Sequence, residues 1–113
     1  MTRRGKLGEW PDKAPPAHGL IAVIRFLASD TDRIDWAIHA HERMAERNIT
    51  PRDALVVLRN GDIEGDITPG RSKGEWQCKV CFPIKGSREV GVATVVIETE
   101  RLFVKTVEWE DPR

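Results

Sequence analysis

The stretch "TPRDALVVLRNGDI", residues 50–63, holds both periodicities of this chain and the point where one gives way to the other. Thr50 stands where an N-cap belongs, Pro51 takes the first helical position and Asp53 completes a capping box. These residues answer the orphaned N–H groups of a helix start. "ALVVLRN" supplies the buried face, and Gly61 is expected to close the helix at its C′ position. Beyond Gly61 apolar residues recur at every second position. "DIEGDITPGRSKG" (62–74) reads as a loop with a short strand around Ile63 to Ile67. "EWQCKVCFPI", "VGVATVVIE" and "RLFVKTVEW" read as three strands rich in β-branched and aromatic residues. Only Thr99 and Glu100 separate the last two, which predicts a hairpin.

Upstream of the cap the pattern is helical. Leu20, Ile21, Val23, Ile24, Leu27 and Ala28 form one broad stripe between Ala17 and Ser29, and "SDTD" (29–32) ends it. "RIDWAI" (33–38) fits two templates. Ile34, Trp36 and Ile38 alternate as in a half-buried strand, while Ile34, Ala37, His41 and Ala45 fit a helix. The reading adopted is a short strand followed by a helix from about His39. Residues 1–16 have little periodic apolar content and several Pro and Gly breakers, so they read as a flexible arm in which Trp10 alone is suited to dock. Helices first and sheet second give a single α+β domain over 17–113, with N-terminal helices packed on one face of a twisted antiparallel sheet.

Charge narrows the function only locally. Eighteen basic and eighteen acidic residues cancel in the 113-residue chain, so overall electrostatics give no case for a nucleic-acid or membrane partner. Between residues 71 and 88, however, Arg71, Lys73, Lys79, Lys85 and Arg88 face a single acid, Glu75, and the tail reverses the sign with Glu108, Glu110 and Asp111 around Trp109. "MTRRGKLGEWPDKAPP" has no apolar stretch after its basic start, and "LIAVI" is interrupted by Arg25. The expectation is a cytoplasmic protein without a membrane span, its two cysteines reduced.

Three groupings carry chemistry. In "IHAHERMAERNIT" (38–50), His39, Arg43 and Arg47 are spaced by four and share a helix face, with His41, Met44, Ala45 and Asn48 on another. Guanidinium forks suit phosphate and an imidazole moves a proton near neutral pH, which together are the tools for metal-free phosphodiester cleavage. Glu42 and Glu46 offer the plain alternative of surface ion pairs worth roughly 0–1 kcal/mol each. "CKVC" (78–81) is half of a zinc site without a second pair, and His18, His39 or His41 would have to complete it. On a regular strand Cys78 and Cys81 point to opposite faces, so both read as small apolar strand residues and no metal or cofactor is expected. Finally, Gln77, Lys79 and Cys81 alternate with Trp76, Cys78, Val80 and Phe82, and Phe103, Lys105 and Val107 alternate with Leu102, Val104 and Thr106. One sheet face therefore offers Lys79 to an anionic ligand, or is simply solvated. No glycine-rich phosphate loop, nucleophile elbow or zinc-protease motif is present.

"HAHERMAERNITPRDALVVLRNGDI" resembles the core of a family of small bacterial proteins catalogued as a domain of unknown function. The matching positions are His39, Arg43, Met44, Arg47, Ile49, Thr50, Gly61 and Ile63, with Thr106 and Val107 similar to the family's closing strand. Asn48 replaces the glycine usual after the second arginine, and asparagine tolerates a left-handed turn. The family resembles RelE-, BrnT- and MqsR-type toxins, often paired with antitoxins. The resemblance implies a RelE-like fold and a toxin that cuts RNA without metal, through the ribose 2′-OH. In that reading His39 shuttles a proton and Arg43 and Lys79 stabilise phosphate charge. Arg47, Arg71, Lys73 and Arg88 hold the strand, and the partners are RNA, in some cases on the ribosome, and a cognate antitoxin. The competing expectation is a non-catalytic interaction module in which His39 and Arg43 hold the helix against the sheet.

Overall fold

A computed structural model describes residue 10 and residues 12–110. Most of the arm expected over 1–16, and Asp111 of the acidic tail, lie outside the described residues. The elements run α1 (Ala17–Ala28), a 3₁₀ turn (Thr31–Arg33), β1 (Ile34–Trp36), α2 (Ala40–Glu46), α3 (Pro51–Asn60), β2 (Asp62–Pro69), β3 (Glu75–Lys85), β4 (Arg88–Ile97) and β5 (Arg101–Trp109). Among the described residues the result is a mixed α+β fold with three helices and one five-stranded sheet of order β1-β5-β4-β3-β2. Among the described residues no helix is long and apolar enough to cross a membrane.

Each helix forms for a local reason. The stripe of α1 buries Leu20, Val23, Ile24, Leu27 and Ala28. The capping box of α3 is present in both directions: the Asp53 N–H donates to Thr50 Oγ1 at 3.0 Å and the Thr50 N–H donates to Asp53 Oδ2 at 3.0 Å. α2 ends at Asn48, whose φ of 59° is the left-handed turn that asparagine accepts. The two longer helices cap one another. Arg25 of α1 donates to the Gly61 carbonyl at 2.7 Å, just past the end of α3. Arg59 of α3 donates to the Ala28 carbonyl at 2.7 Å, the last residue of α1. A cation at each C-terminus answers a carbonyl the helix cannot satisfy and opposes its dipole.

Gly61 does end α3, but not as a left-handed C′ residue. Its φ and ψ are −83° and −176°, extended backbone that any residue adopts. Close approach explains the glycine instead. A Cβ built there would lie 2.5 Å from the Cys81 carbonyl oxygen and 2.7 Å from that of Val57. Helix α3 can run into β2 beside β3 only because position 61 has no side chain.

The sheet departs from the sequence reading in two ways. β1 runs parallel to β5, pairing Ile34 with Leu102 and Trp36 with Val104, so only β2 to β5 are antiparallel. Alternation locates a strand but carries no information on its direction. Further, the short strand expected around Ile63 to Ile67 is longer, β2 running over Asp62–Pro69 and paired to β3 from Asp62↔Cys81 to Pro69↔Trp76 with a break between Glu64 and Thr68. β2 is an edge strand, and its acids Asp62, Glu64 and Asp66, its closing Pro69 and the left-handed Gly65 (φ 83°) are the features that keep an edge from pairing with other chains. Those same features made much of it look like loop.

One core joins helices and sheet. Leu20, Ile24, Leu27, Met44, Val57 and Leu58 cluster with Trp76, Cys78 and Val80 of β3, Val90, Val92 and Val96 of β4, and Leu102, Val104 and Val107 of β5. The period of β5 is broken on the way. Ala93 pairs with Thr106 but Thr94 pairs with Val104, leaving Lys105 as the extra residue of a bulge. Val107 therefore enters the core with Leu102 and Val104 rather than sharing a side with Phe103 and Lys105. Trp10 packs against this core, and its carbonyl accepts a 2.6 Å hydrogen bond from Trp76 Nε1.

Candidate functional site

The stretch around α2 delivers its charged groups to different places. His39 stands just before α2, and its Nδ1 lies 3.2 Å from Glu42 Oε1, with both side chains about two-thirds exposed (64% and 68%). Arg43 is exposed. The His41 ring rests on Trp36 at 5.0 Å between centroids. Arg47 turns back into the fold. Its Nη1 donates to the Val107 carbonyl at 2.8 Å and reaches Thr106 Oγ1 at 3.4 Å, while its own carbonyl accepts from Trp109 Nε1 at 2.7 Å. β1 ends at Trp36, opposite Val104, so the outer edge of β5 beyond that point lacks a strand partner. Arg47 fills the gap, which is a fold-holding position for a residue expected to grip RNA.

Lys79 lies elsewhere. It sits on β3, two strands in from β5, and its Nζ meets Glu110 Oε1 at 2.6 Å. The hydrogen bond that Lys79 donates to Glu110 holds the lysine pKa above its ordinary value, with burial acting the other way. Lys79 lines a groove of about 210 Å³ together with Asp66, Thr68, Gln77 and Lys105. Neither His39 nor Arg43 lines it. The structure thus does not gather His39, Arg43 and Lys79 into one cleft.

The basic segment is likewise divided. Arg71 lines a second groove of about 430 Å³, whose floor is Val95, Ile97 and Phe103 and whose rim includes Gln77 and Lys105. Glu75 also borders it, but one oxygen of that carboxylate accepts from the backbone N–H groups of Arg71 at 3.1 Å and Ser72 at 3.4 Å. Lys73 pairs with Asp12 at 3.2 Å and borders a separate cavity of about 320 Å³ with Trp10, Trp76 and Thr99. Arg88 lies over the Trp109 ring at 4.0 Å from its centroid. Gln77 and Lys105 line both sheet grooves, and Lys105 Nζ donates to Gln77 Oε1 at 3.1 Å, so the two grooves adjoin across that pair. Sequence reasoning raised Lys105 and Phe103 only as members of an alternating pattern. The bulge that sets them on this face, with Val107 on the other, has no signature in "LFVKTVEW".

The cysteines separate as a strand requires. Cys78 belongs to the core, and burial pushes its thiol up to about 12. Cys81 is buried outside that cluster, on the same side as Lys79. Burial, with the Glu64 and Glu110 carboxylates, pushes it to about 12 as well, against a smaller opposing effect of Lys79. Both thiols are free.

No curated protein and no solved structure matches this chain. A family model does, over residues 36–109, from the last residue of β1 through α2, α3 and the whole of β2 to β5. The match takes in both sheet grooves and the His39–Arg47 stretch, and on that extent the chain belongs to the family described as Domain of unknown function (DUF4258).

Proposed function

We propose that this domain is a toxin-like protein that acts on RNA without a metal and is held in check by a partner antitoxin, with the grooved side of the sheet as its RNA-holding surface. The observation that carries the reading is the pair of adjoining grooves on this side of the sheet. Phe103, Val95 and Ile97 make an apolar floor, with Arg71, Lys105 and Gln77 at its rim and Lys79 beyond. An aromatic face that takes a base, flanked by cations that take the phosphates, is what single-stranded nucleic acid needs, and base stacking of this kind is worth about 1–3 kcal/mol per base. The RelE-like packing, with the helices on one side of the sheet and the other left to the ligand, belongs to this proposal. So does cleavage by the 2′-OH, which rests on the resemblance of the family to the toxins named above and on the exposure of His39 and Arg43. His39 then carries the proton and Arg43 faces the phosphate, on a strand that crosses β5 after leaving the groove. Lys73 and Arg88 are secondary contacts, and Arg47 serves the fold.

The test is induced expression with growth and RNA integrity as readouts. Growth arrest with broken RNA is expected for the wild type. Loss of RNA binding is expected for Phe103→Ala with Lys105→Ala, and loss of cleavage with binding retained for His39→Ala. Normal growth, intact RNA and no RNA binding by the purified wild type would overturn the reading. One arrangement favours the second reading, an interaction module. Arg47 with Val107 and Trp109 puts one signature residue to work within the fold, and His39 is engaged by Glu42 at the surface. Intact RNA and normal growth on expression of the folded wild type would select it.

A further inference from the structure

Cys81 is buried, at 4% exposure, yet it is absent from the hydrophobic core. Opposite it on β4 is Gly91, which offers no side chain to cover it. Carboxylates surround it instead. A Cβ at position 91 would lie 2.6 Å from Glu110 Oε2, so the Glu110 side chain folds down over Gly91. Glu64 of β2 and Glu89 of β4 join them: Cys81 Sγ and one oxygen of each carboxylate lie within 4.8 Å of one another. No described residue hydrogen-bonds the thiol. The cation that opposes these carboxylates at Cys81 is Lys79, which is bound to Glu110 at 2.6 Å. That charge is therefore directed at a carboxylate other than Glu64 and Glu89.

We infer that Glu64, Cys81 and Glu89 form a binding site for a divalent, thiophilic metal ion of the zinc class, one ligand from each of β2, β3 and β4. The inference does not depend on the RNA reading. A thiolate with two carboxylates suits zinc, and the sulfur disfavours magnesium and calcium, which prefer oxygen alone. Zinc stands about 2.3 Å from sulfur and about 2.0–2.2 Å from a carboxylate oxygen, so the three donors must draw together by roughly 1 Å. Glu64 is exposed on the edge strand and has the freedom to do so. On binding, the Cys81 S–H gives its proton to solvent and the thiolate coordinates the ion, while a water takes the fourth position. β2 reaches its register break immediately after Glu64, so the ion would clasp the sheet edge where its own ladder fails.

The experiment is cobalt titration of the full chain after dialysis against a chelator. A thiolate-to-cobalt charge-transfer band at one ion per chain, displaced by zinc, is expected, together with a rise in melting temperature on adding zinc. Cys81→Ser should abolish the band. Glu64→Gln and Glu89→Gln should each weaken binding by at least roughly tenfold, the scale known for removal of even a supporting partner. Glu64 is exposed, so its variant keeps the test valid if Cys81→Ser does not fold. Cys78→Ala, altered in the core, should keep the band. Absence of the band in folded wild type, its survival in Cys81→Ser, or unchanged affinity in the two glutamine variants would overturn the assignment.

Discussion

At the scale of single residues, two positions carry more of the fold than their chemistry suggests. Gly61 is needed for the space between α3 and β3, because a methyl group there meets two carbonyl oxygens and Val80 Cγ1, at 2.9 Å, together. Gly61→Ala should therefore destabilise by about 1–3 kcal/mol, the usual range for overpacking, and a denaturant midpoint will read it. Arg47 is the second. Removing it leaves the Val107 carbonyl at the unpaired edge of β5 without its donor, so Arg47→Ala should lower stability by about 1–3 kcal/mol with no RNA present. An unchanged melting curve would return Arg47 to the list of RNA contacts. His39 and Arg43, by contrast, are exposed, and their alanine variants should melt within about 0.5 kcal/mol of the wild type, so that any loss of activity can be read as chemistry.

At the scale of elements, the two edges and the last hairpin show where local preference and tertiary demand diverge. β1 has only three residues, and Arg101 fastens it with hydrogen bonds to both Asp35 oxygens, at 2.9 and 3.0 Å, and to the Asp32 carbonyl. That hydrogen bond holds the Asp35 carboxyl below its ordinary range. A depressed carboxylate contributes stability above its unfolded pKa of about 3.9 and loses it as pH falls through the lower folded value. Asp35→Asn should thus be less stable than wild type at neutral pH, by a small margin since both partners are about half exposed, and the gap should close in acid. Between β4 and β5, Glu98 and Thr99 take φ of 51° and 57°, and the Glu100 N–H closes the turn on the Ile97 carbonyl at 2.9 Å. This is the mirror-image turn that hairpins favour, built here from residues that resist it, a β-branched threonine among them. Replacing Glu98 and Thr99 by Asn and Gly should raise stability by about 1 kcal/mol, measured as a higher melting temperature.

At the scale of the whole molecule, the separation of charges is the main result. A neutral chain sorts its groups so that acids crowd one part of the sheet's grooved side, around Cys81 and Gly91, while Arg71 and Lys105 border the apolar floor of Phe103. RNA binding, as proposed, should therefore be steeply salt-dependent, with a log–log slope of roughly −0.7 per phosphate contacted. Charge removal at Lys105 should flatten that slope, whereas charge removal at Lys85, which lines neither groove, should leave it unchanged. Equal effects of the two variants would place the contact surface elsewhere.

How much of this was legible in the chain follows from the range of the forces involved. The helix of 51–60 was readable because a capping box, a proline and a 3.6-residue stripe all act within a few residues of one another. The short strand before α2 and three of the long strands were readable from alternation, and Asn48 from its tolerance of the left-handed turn. β2 was readable only as a short strand around Ile63 to Ile67, since an edge strand protected by acids, glycine and proline has much of the composition of a loop. The parallel direction of β1 was not readable, because it depends on where the chain returns after the rest of the sheet is laid down. The site was least legible of all. Spacing by four put His39, Arg43 and Arg47 on one helix face, but Arg47 was drawn inward by a carbonyl some 60 positions away, at Val107. Lys79 was drawn to Glu110 at the far end of the chain, and a single unpaired residue in β5 determined the side to which Phe103 and Lys105 belong. The sequence by itself determined the elements, because caps and periodicity are local; only the tertiary structure decided which side chains meet, because cross-strand register and carbonyls left open at an edge exist only once the sheet has closed.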